Sequence, residues 1–418
     1  MKRMYFDSLE TRDPQHREKQ LMLRLPGLLA RARTTPGWKQ RLAGFEPSDI
    51  TSRAALAQLP VTRKSELKEI QQACPPFGGL NVTPPARMAR IFMSPGPIFD
   101  PEGTGADWWR YARPFFALGL RGGELIQNCF SYHFTPAAFM VESGARKLGC
   151  PVIPAGIGQT EMQVQVASQL RPQVYAGTPS FLKIILEKAE EMGADLSSLR
   201  SALVGAEALP PSLRKWLQDH GVPQVLQTYG SADIGNIAYE TMSDGEVHPG
   251  MVLDEDILLE IVRPGTGDPV AEGEVGEVLV TSFNDDYPLL RFATGDLSAV
   301  LPGVSPCGRT NTRIKGWMGR ADQTTKVRAM FVHASQVAEF VRRHPQVRKA
   351  RLVISGEMAN DVMTLVCEVD ATAQQPELQA GLVASIRELT KLRGEVSMVA
   401  PGSLPNDGKV IEDARTYR

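Results

Sequence analysis

The chain carries Y-P-L-L-R-F-A-T-G-D-L-S (Tyr287 to Ser298) and, soon after, C-G-R-T-N-T-R-I-K-G-W-M-G-R-A-D-Q-T-T-K-V-R (Cys307 to Arg328). In the first segment the apolar run Leu289, Leu290 and Phe292 predicts a strand that ends at Thr294-Gly295-Asp296 and delivers a carboxylate to a loop. In the second, Gly319-Arg320-Ala321-Asp322 precedes a short β-prone stretch bearing Lys326 and Arg328. A fixed carboxylate followed by a Gly-Arg turn suits a ribose diol, with an acceptor for the hydroxyls and a cation near a phosphate. Taken alone, a Thr-Gly-Asp triplet is an ordinary capped turn.

Bulk composition limits the alternatives. At 418 residues the chain exceeds one comfortable core, so at least two domains are expected. With 46 basic and 47 acidic side chains the net charge is −1, which gives no polyanion-binding surface and no reason to expect a nucleic-acid partner. Phosphate-bearing ligands would have to be recognised locally. Five cysteines are scattered without a C-x-x-C, which points to reduced thiols in a cytoplasm. The first ten residues include acids and lead into no apolar core, unlike a signal peptide, and no run approaches the ~20 apolar residues of a membrane span.

Residues 1–90 read as helices and polar loops, with Leu21, Leu25, Leu28 and Leu29 at helical spacing and a break or kink expected at Pro26. Val61-Thr62-Arg63-Lys64 reads as an entry turn to a short helix, and no chemistry is legible there. Between Trp108 and Gly193 strands and helices alternate: strands near 125–130, 150–154 and 173–176, helices after Pro136, over 161–170 and over 179–192. Ser201–Val204 is a strand, and Pro210-Pro211 opens a helix that Gly221 stops. Such alternation implies a largely parallel sheet covered on both faces. Val247–Ser282 reads as an antiparallel meander. Beyond Arg320 a compact α+β module is expected, with a helix N-capped by Ser335. The predicted fold is therefore α/β: a large N-terminal domain over 1–319 with mixed and parallel sheets plus a β-meander, and a small, mobile C-terminal α+β domain over 320–418.

Together, Y-P-L-L-R-F-A-T-G-D-L, G-R-A-D-x-x-x-K-V-R and Y-G-S-A-D (Tyr229 to Asp233) resemble the adenylate-forming acyl-CoA synthetases, in particular the phenylacetate–CoA ligase branch, from about Arg90 to Lys409. The resemblance implies an ATP-dependent acid–thiol ligase that forms an acyl-adenylate and then a CoA thioester. Its partners would be a small carboxylic acid, ATP, Mg²⁺ and CoA. Loading of a carrier-protein thiol or an amine, a catalytically impaired nucleotide-binding homologue, and a homodimer all stay open.

By the same resemblance, Asp296 and Arg320 grip the ribose, and Gly205-Ala206-Glu207 and Tyr229-Gly230 hold adenine. Ser231 reaches the α-phosphate or the substrate carboxylate, and Asp233 holds Mg²⁺ where the family usually has Glu. Lys409, on the late Gly-Lys turn, neutralises charge at the α-phosphate. Asp322 is the hinge, Lys326 and Arg328 face CoA, and Tyr132, His133 and Phe134 wall the acyl pocket. The family's phosphate loop, S-S-G-T-T-G-K-P, is replaced by I-F-M-S-P-G-P-I-F-D-P-E-G-T-G: Ser94 and Gly96 supply part of a loop, but no Lys follows, and Asp100 and Glu102 bring negative charge. Some members carry a structural zinc; His248 and Cys307 remain here, but Thr241 and Ser305 replace the other two ligands, which argues against zinc.

Overall fold

The computed structural model describes residues 4–94, 97–243, 245–321, 323–327, 330–356 and 362–415. The chain forms two compact units. One comprises 1–258, 280–292 and 301–317; the other comprises 259–279, 293–300 and 318–418. The unit that holds residues 320–418 also takes in the two upstream stretches 259–279 and 293–300.

In the first unit, Asp13 caps the helix Pro14–Ala32 by accepting from the His16 amide, with Pro14 at the first position. The helix runs on through Pro26, contrary to the expected break, and packs Leu21, Leu25, Leu28 and Leu29 inward. The central sheet orders its strands Arg313–Ile314, Met251–Leu253, Gly235–Tyr239, Gln224–Ser231, Ser201–Val204, Val174–Gly177, Ile126–Asn128 and Val152–Ile153. The last five of these run parallel, and Gly235–Tyr239 onward is antiparallel.

Side chains alternate across the pleat. Val174, Ala176, Leu203 and Leu226 enter one apolar cluster with Trp109, Phe115 and Val141. Tyr175, Ala202, Val204 and Val225 enter another with Val164, Leu182, Ile185 and Leu217. Both faces are buried, as a parallel sheet requires. The covering helices are Ala137–Leu148, Thr160–Leu170, Pro179–Met192 and Pro211–Asp219. Arg90–Ser94 and Ile98–Glu102 pair antiparallel as a hairpin, with Ser94 opposite Ile98 and Phe92 opposite Asp100.

In the second unit, Val347–Ser355 and Val362–Val369 pair antiparallel, flanked in parallel by Ile411–Asp413 and Glu395–Val399. Helices Ala334–Arg343 and Pro376–Thr390 cover this sheet, with Val337, Phe340, Leu382 and Ile386 packed on Leu352 and Leu365. The first helix is capped by His333, not Ser335: Gln336 reaches back to the His333 amide to complete a capping box. Ser335 falls inside the first turn.

Candidate active site

The parallel strands of the first unit end at one edge of the sheet, where α/β folds bind ligands. Ser201–Val204 delivers Gly205-Ala206-Glu207. Gly205 sits so close to Thr228 that a Cβ would lie 2.8 Å from its hydroxyl, and Ala206 adopts φ +63, so the turn has little room for larger side chains. The Glu207 carbonyl accepts from Gln227 Nε2 at 2.9 Å. The next strand, Gln224–Ser231, brings Tyr229 and Gly230; at Gly230 a Cβ would meet the Gly235 carbonyl oxygen at 2.3 Å. Ser231 Oγ accepts from the Ile234 amide at 3.3 Å and so fixes the turn that carries Asp233.

Asp233 is 4% exposed and is met by a cation from far earlier in the chain: Lys64 Nζ lies 2.5 Å from its Oδ2. Lys64 comes from the turn ahead of the helix Leu67–Ala73, read above as devoid of chemistry. Asp100, 1% exposed, faces the same pair from the hairpin. Burial and then the neighbouring Asp233 hold its carboxyl well above the usual carboxylate range, against the Ser94 hydroxyl and Lys64. Glu102 is also raised by burial, against Arg90 at 3.0 Å. Among the described residues no donor reaches the buried Asp233 Oδ1, and with Asp100 beside it this is a carboxylate set that suits a hard cation such as Mg²⁺.

The hairpin also touches the loop after Ile126–Asn128, where the Met93 amide donates to the Phe134 carbonyl at 2.9 Å. Tyr132 is half-buried; its hydroxyl lies 2.9 Å from Asn128 Nδ2 and 2.9 Å from Glu142 Oε1, and its ring meets Phe139 edge-on. His133 and Phe134 are exposed, with their rings 4.6 Å apart. Of the three residues expected to wall an acyl pocket, only Tyr132 is turned inward.

In the second unit the strand Phe292–Ser298 runs straight through Thr294-Gly295-Asp296, so Asp296 lies within a strand and not in a loop beyond it. Gly295 bends the backbone at φ +76. Arg320 Nη1 donates to Asp296 Oδ1 at 3.0 Å, and the two residues are bridged through their backbones. The structure thus brings Asp296 and Arg320 together. Lys409 is exposed on a turn held by its own amide to Asp407 Oδ1 and by Asn406 Oδ1 to the Val275 amide. Lys326 lies on the strand Thr324–Val327. Gly96, Asp322 and Arg328 fall outside the described residues.

His248 Nε2 pairs with Ser243 Oγ at 3.0 Å, and Cys307 Sγ with Ser305 Oγ at 3.1 Å and Arg309 Nη1 at 3.4 Å. Among the described residues no three of His, Cys, Asp and Glu gather as a metal site, and no helix is long and apolar enough to cross a membrane.

Comparison with known proteins agrees with this geometry. A family of AMP-binding enzymes matches residues 123–284. Phenylacetate-coenzyme A ligase of Escherichia coli (strain K12) is 30% identical over 394 residues, 88% of this chain and 86% of the relative. The enzyme of the same name from Pseudomonas putida is 31% identical over 327 residues, 75% and 72% of the two chains. The fold is similar to that of a solved 2-hydroxyisobutyryl-CoA ligase, with a TM-score of 0.73 at 23% identity across 97% of this chain and 92% of the other. The Asp296–Arg320 pair, the small-residue turn and the acid-bearing Tyr-Gly-Ser-Ala-Asp turn thus occur in a chain that belongs to the phenylacetate–coenzyme A ligase family of AMP-binding enzymes.

Proposed function

We propose that the protein is an ATP-dependent acid–CoA ligase for an aromatic carboxylic acid of the phenylacetate class. The observation that carries the reading is the convergence, at one sheet edge, of the adenine-type turn Gly205–Glu207 with Tyr229, Ser231 and Asp233. In the first step the substrate carboxylate oxygen attacks the α-phosphorus; the bond to the bridging oxygen breaks and pyrophosphate leaves. In the second, a thiolate attacks the acyl carbon, the acyl–oxygen bond breaks and AMP leaves. Neither step needs a protein nucleophile; both need positioned charge and excluded water.

Ser231 orients the α-phosphate, Tyr229 stacks on adenine, and Asp296 with Arg320 holds the ribose. Lys64 takes over the charge neutralisation that the altered phosphate loop cannot supply. Asp233 would hold Mg²⁺, which supplies charge withdrawal from the triphosphate when bound. Lys409 would meet the charge developing at the α-phosphate, with rotation near Asp322 removing it before thiolysis and bringing Lys326 and Arg328 toward CoA. Tyr132, whose hydroxyl burial and Glu142 keep protonated, closes the acyl side.

The test is acid-dependent ATP–pyrophosphate exchange with a panel of aryl acids, followed by thioester formation with CoA or with a phosphopantetheinyl carrier. Lys409→Ala is expected to abolish exchange and largely to spare thiolysis of a supplied acyl-adenylate. Equal loss of both half-reactions would remove the two-conformation account. Exchange with no acid would remove the ligase reading.

A further inference from the structure

The hairpin Arg90–Glu102 stands where the family has its lysine-bearing phosphate loop, yet it brings a carboxylate to the Tyr-Gly-Ser-Ala-Asp turn. Asp100, Asp233 and Tyr287 are 1%, 4% and 2% exposed. Among the described residues no well-aligned donor reaches Asp100 Oδ2 or Asp233 Oδ1, whose carboxyl groups face each other, and the Tyr287 hydroxyl is buried beside Gln71. They are neighbours: Asp100 lies against Asp233, and the Tyr287 hydroxyl feels the charge of both. Ser94 adds a hydroxyl beside Asp100. Two buried carboxyl groups facing each other call for a positively charged occupant between them.

Lys64 provides one positive charge against two carboxylates and meets Asp233 at Oδ2, 2.5 Å away. The remaining oxygens are hard donors of the kind that bind magnesium and manganese. Among the described residues no third His, Cys, Asp or Glu joins them. That suits a cation that takes one or two carboxylates and leaves its other positions to water and phosphate.

We infer that Asp100 is a second protein ligand, with Asp233, for a divalent cation that this chain holds before nucleotide arrives, and that the Tyr287 hydroxyl lies at the edge of that site. The inference rests on the placement of the metal at Asp233 proposed above and extends it to a hairpin residue. Its physical content is a replacement: the loop that would cradle phosphates through a lysine has become one that holds a metal, with Lys64 beside it.

The experiment titrates MnCl₂ into the full-length chain without nucleotide, follows bound Mn²⁺ by its paramagnetic resonance signal, and then displaces it with MgCl₂. The expected result is one Mn²⁺ per chain, displaced by Mg²⁺, with affinity at least about tenfold weaker in Asp100→Asn. Tyr287→Phe, which keeps both carboxylates, should retain the site. Thermal unfolding of each variant without metal verifies that it is folded. No stoichiometric Mn²⁺ on the wild-type chain, or unchanged affinity in a folded Asp100→Asn, overturns the inference. The two readings fail separately. Acid-dependent exchange without nucleotide-free metal binding keeps the ligase and removes this site, and metal binding without exchange for any acid does the reverse.

Discussion

Lys64 meets Asp233 across 169 residues of chain, and in the function proposed above it is the cation that meets phosphate charge. A lysine beside a buried carboxylate neutralises it and spends part of its three-donor capacity there. Removal of Lys64 leaves Asp233 and Asp100 in a nearly dry pocket with no counter-ion, the arrangement in which breaking an ion pair is costly. Lys64→Met is therefore expected to lower unfolding stability by roughly 2–4 kcal/mol, the lysine being about one-quarter exposed. Acid-dependent exchange should fall on the order of a hundredfold. Urea unfolding and exchange rates check this; a variant with wild-type exchange would show that the charge is met elsewhere. Asp233, Asp296 and Arg320 were legible in the sequence because each sits inside a short, ordered motif. Lys64 was not, because Val61-Thr62-Arg63-Lys64 has no local pattern, and its partner is supplied only by the tertiary fold.

At the level of elements, alternation carried the reading. Apolar runs broken by helix stops gave the parallel sheet, and the helix Pro179–Met192 ends at Gly193 as expected. The misreadings were places where tertiary context outweighed a local rule: a helix that continues through Pro26, a cap displaced to His333, and a strand that runs on past Gly295. The last case has a physical cause. Gly295 takes φ +76 inside the strand, and a Cβ there would meet Arg320 Nη2 at 2.5 Å. The glycine thus lets the Arg320 guanidinium close over the backbone and reach Asp296. Gly295→Ala is expected to cost about 1–2 kcal/mol of stability. It should also weaken AMP binding by roughly tenfold, the loss of one well-placed charged hydrogen bond. Calorimetric titration with AMP checks it, with circular dichroism to confirm the fold. Unchanged affinity would mean that the Asp296–Arg320 pair is structural and not part of a ribose grip.

Across the molecule, fold class and family were readable, whereas the way distant segments lock together was not. Glu10 accepts from Arg309 Nε at 2.9 Å and from the Tyr239 hydroxyl at 2.7 Å, tying the start of the chain to two remote strands and loops. Beside it, Asp7 pairs with Arg113 at 2.7 Å. Asp254, 1% exposed, lies between Arg110 Nε at 3.5 Å and Arg113 Nε at 3.7 Å. Polar residues with such partners look like surface residues in a sequence, since no spacing rule relates positions 7, 113 and 254.

Burial, only partly offset by the two arginines, pushes the Asp254 carboxyl up from 3.8 to about 7. The folded chain therefore keeps a proton between about pH 4 and pH 7 that the unfolded chain has released. Stability must then fall as pH rises through that window, with no further contribution from this group above it. At 1.36 kcal/mol per pH unit the upper bound is ~4 kcal/mol. Asp254→Asn removes the titration, so its stability relative to wild type should improve steadily from pH 4.5 to 7.5 in urea unfolding. Parallel curves for the two proteins would mean that the arginines already hold Asp254 ionised across the range, and that the buried network is paired by charge and not by a retained proton.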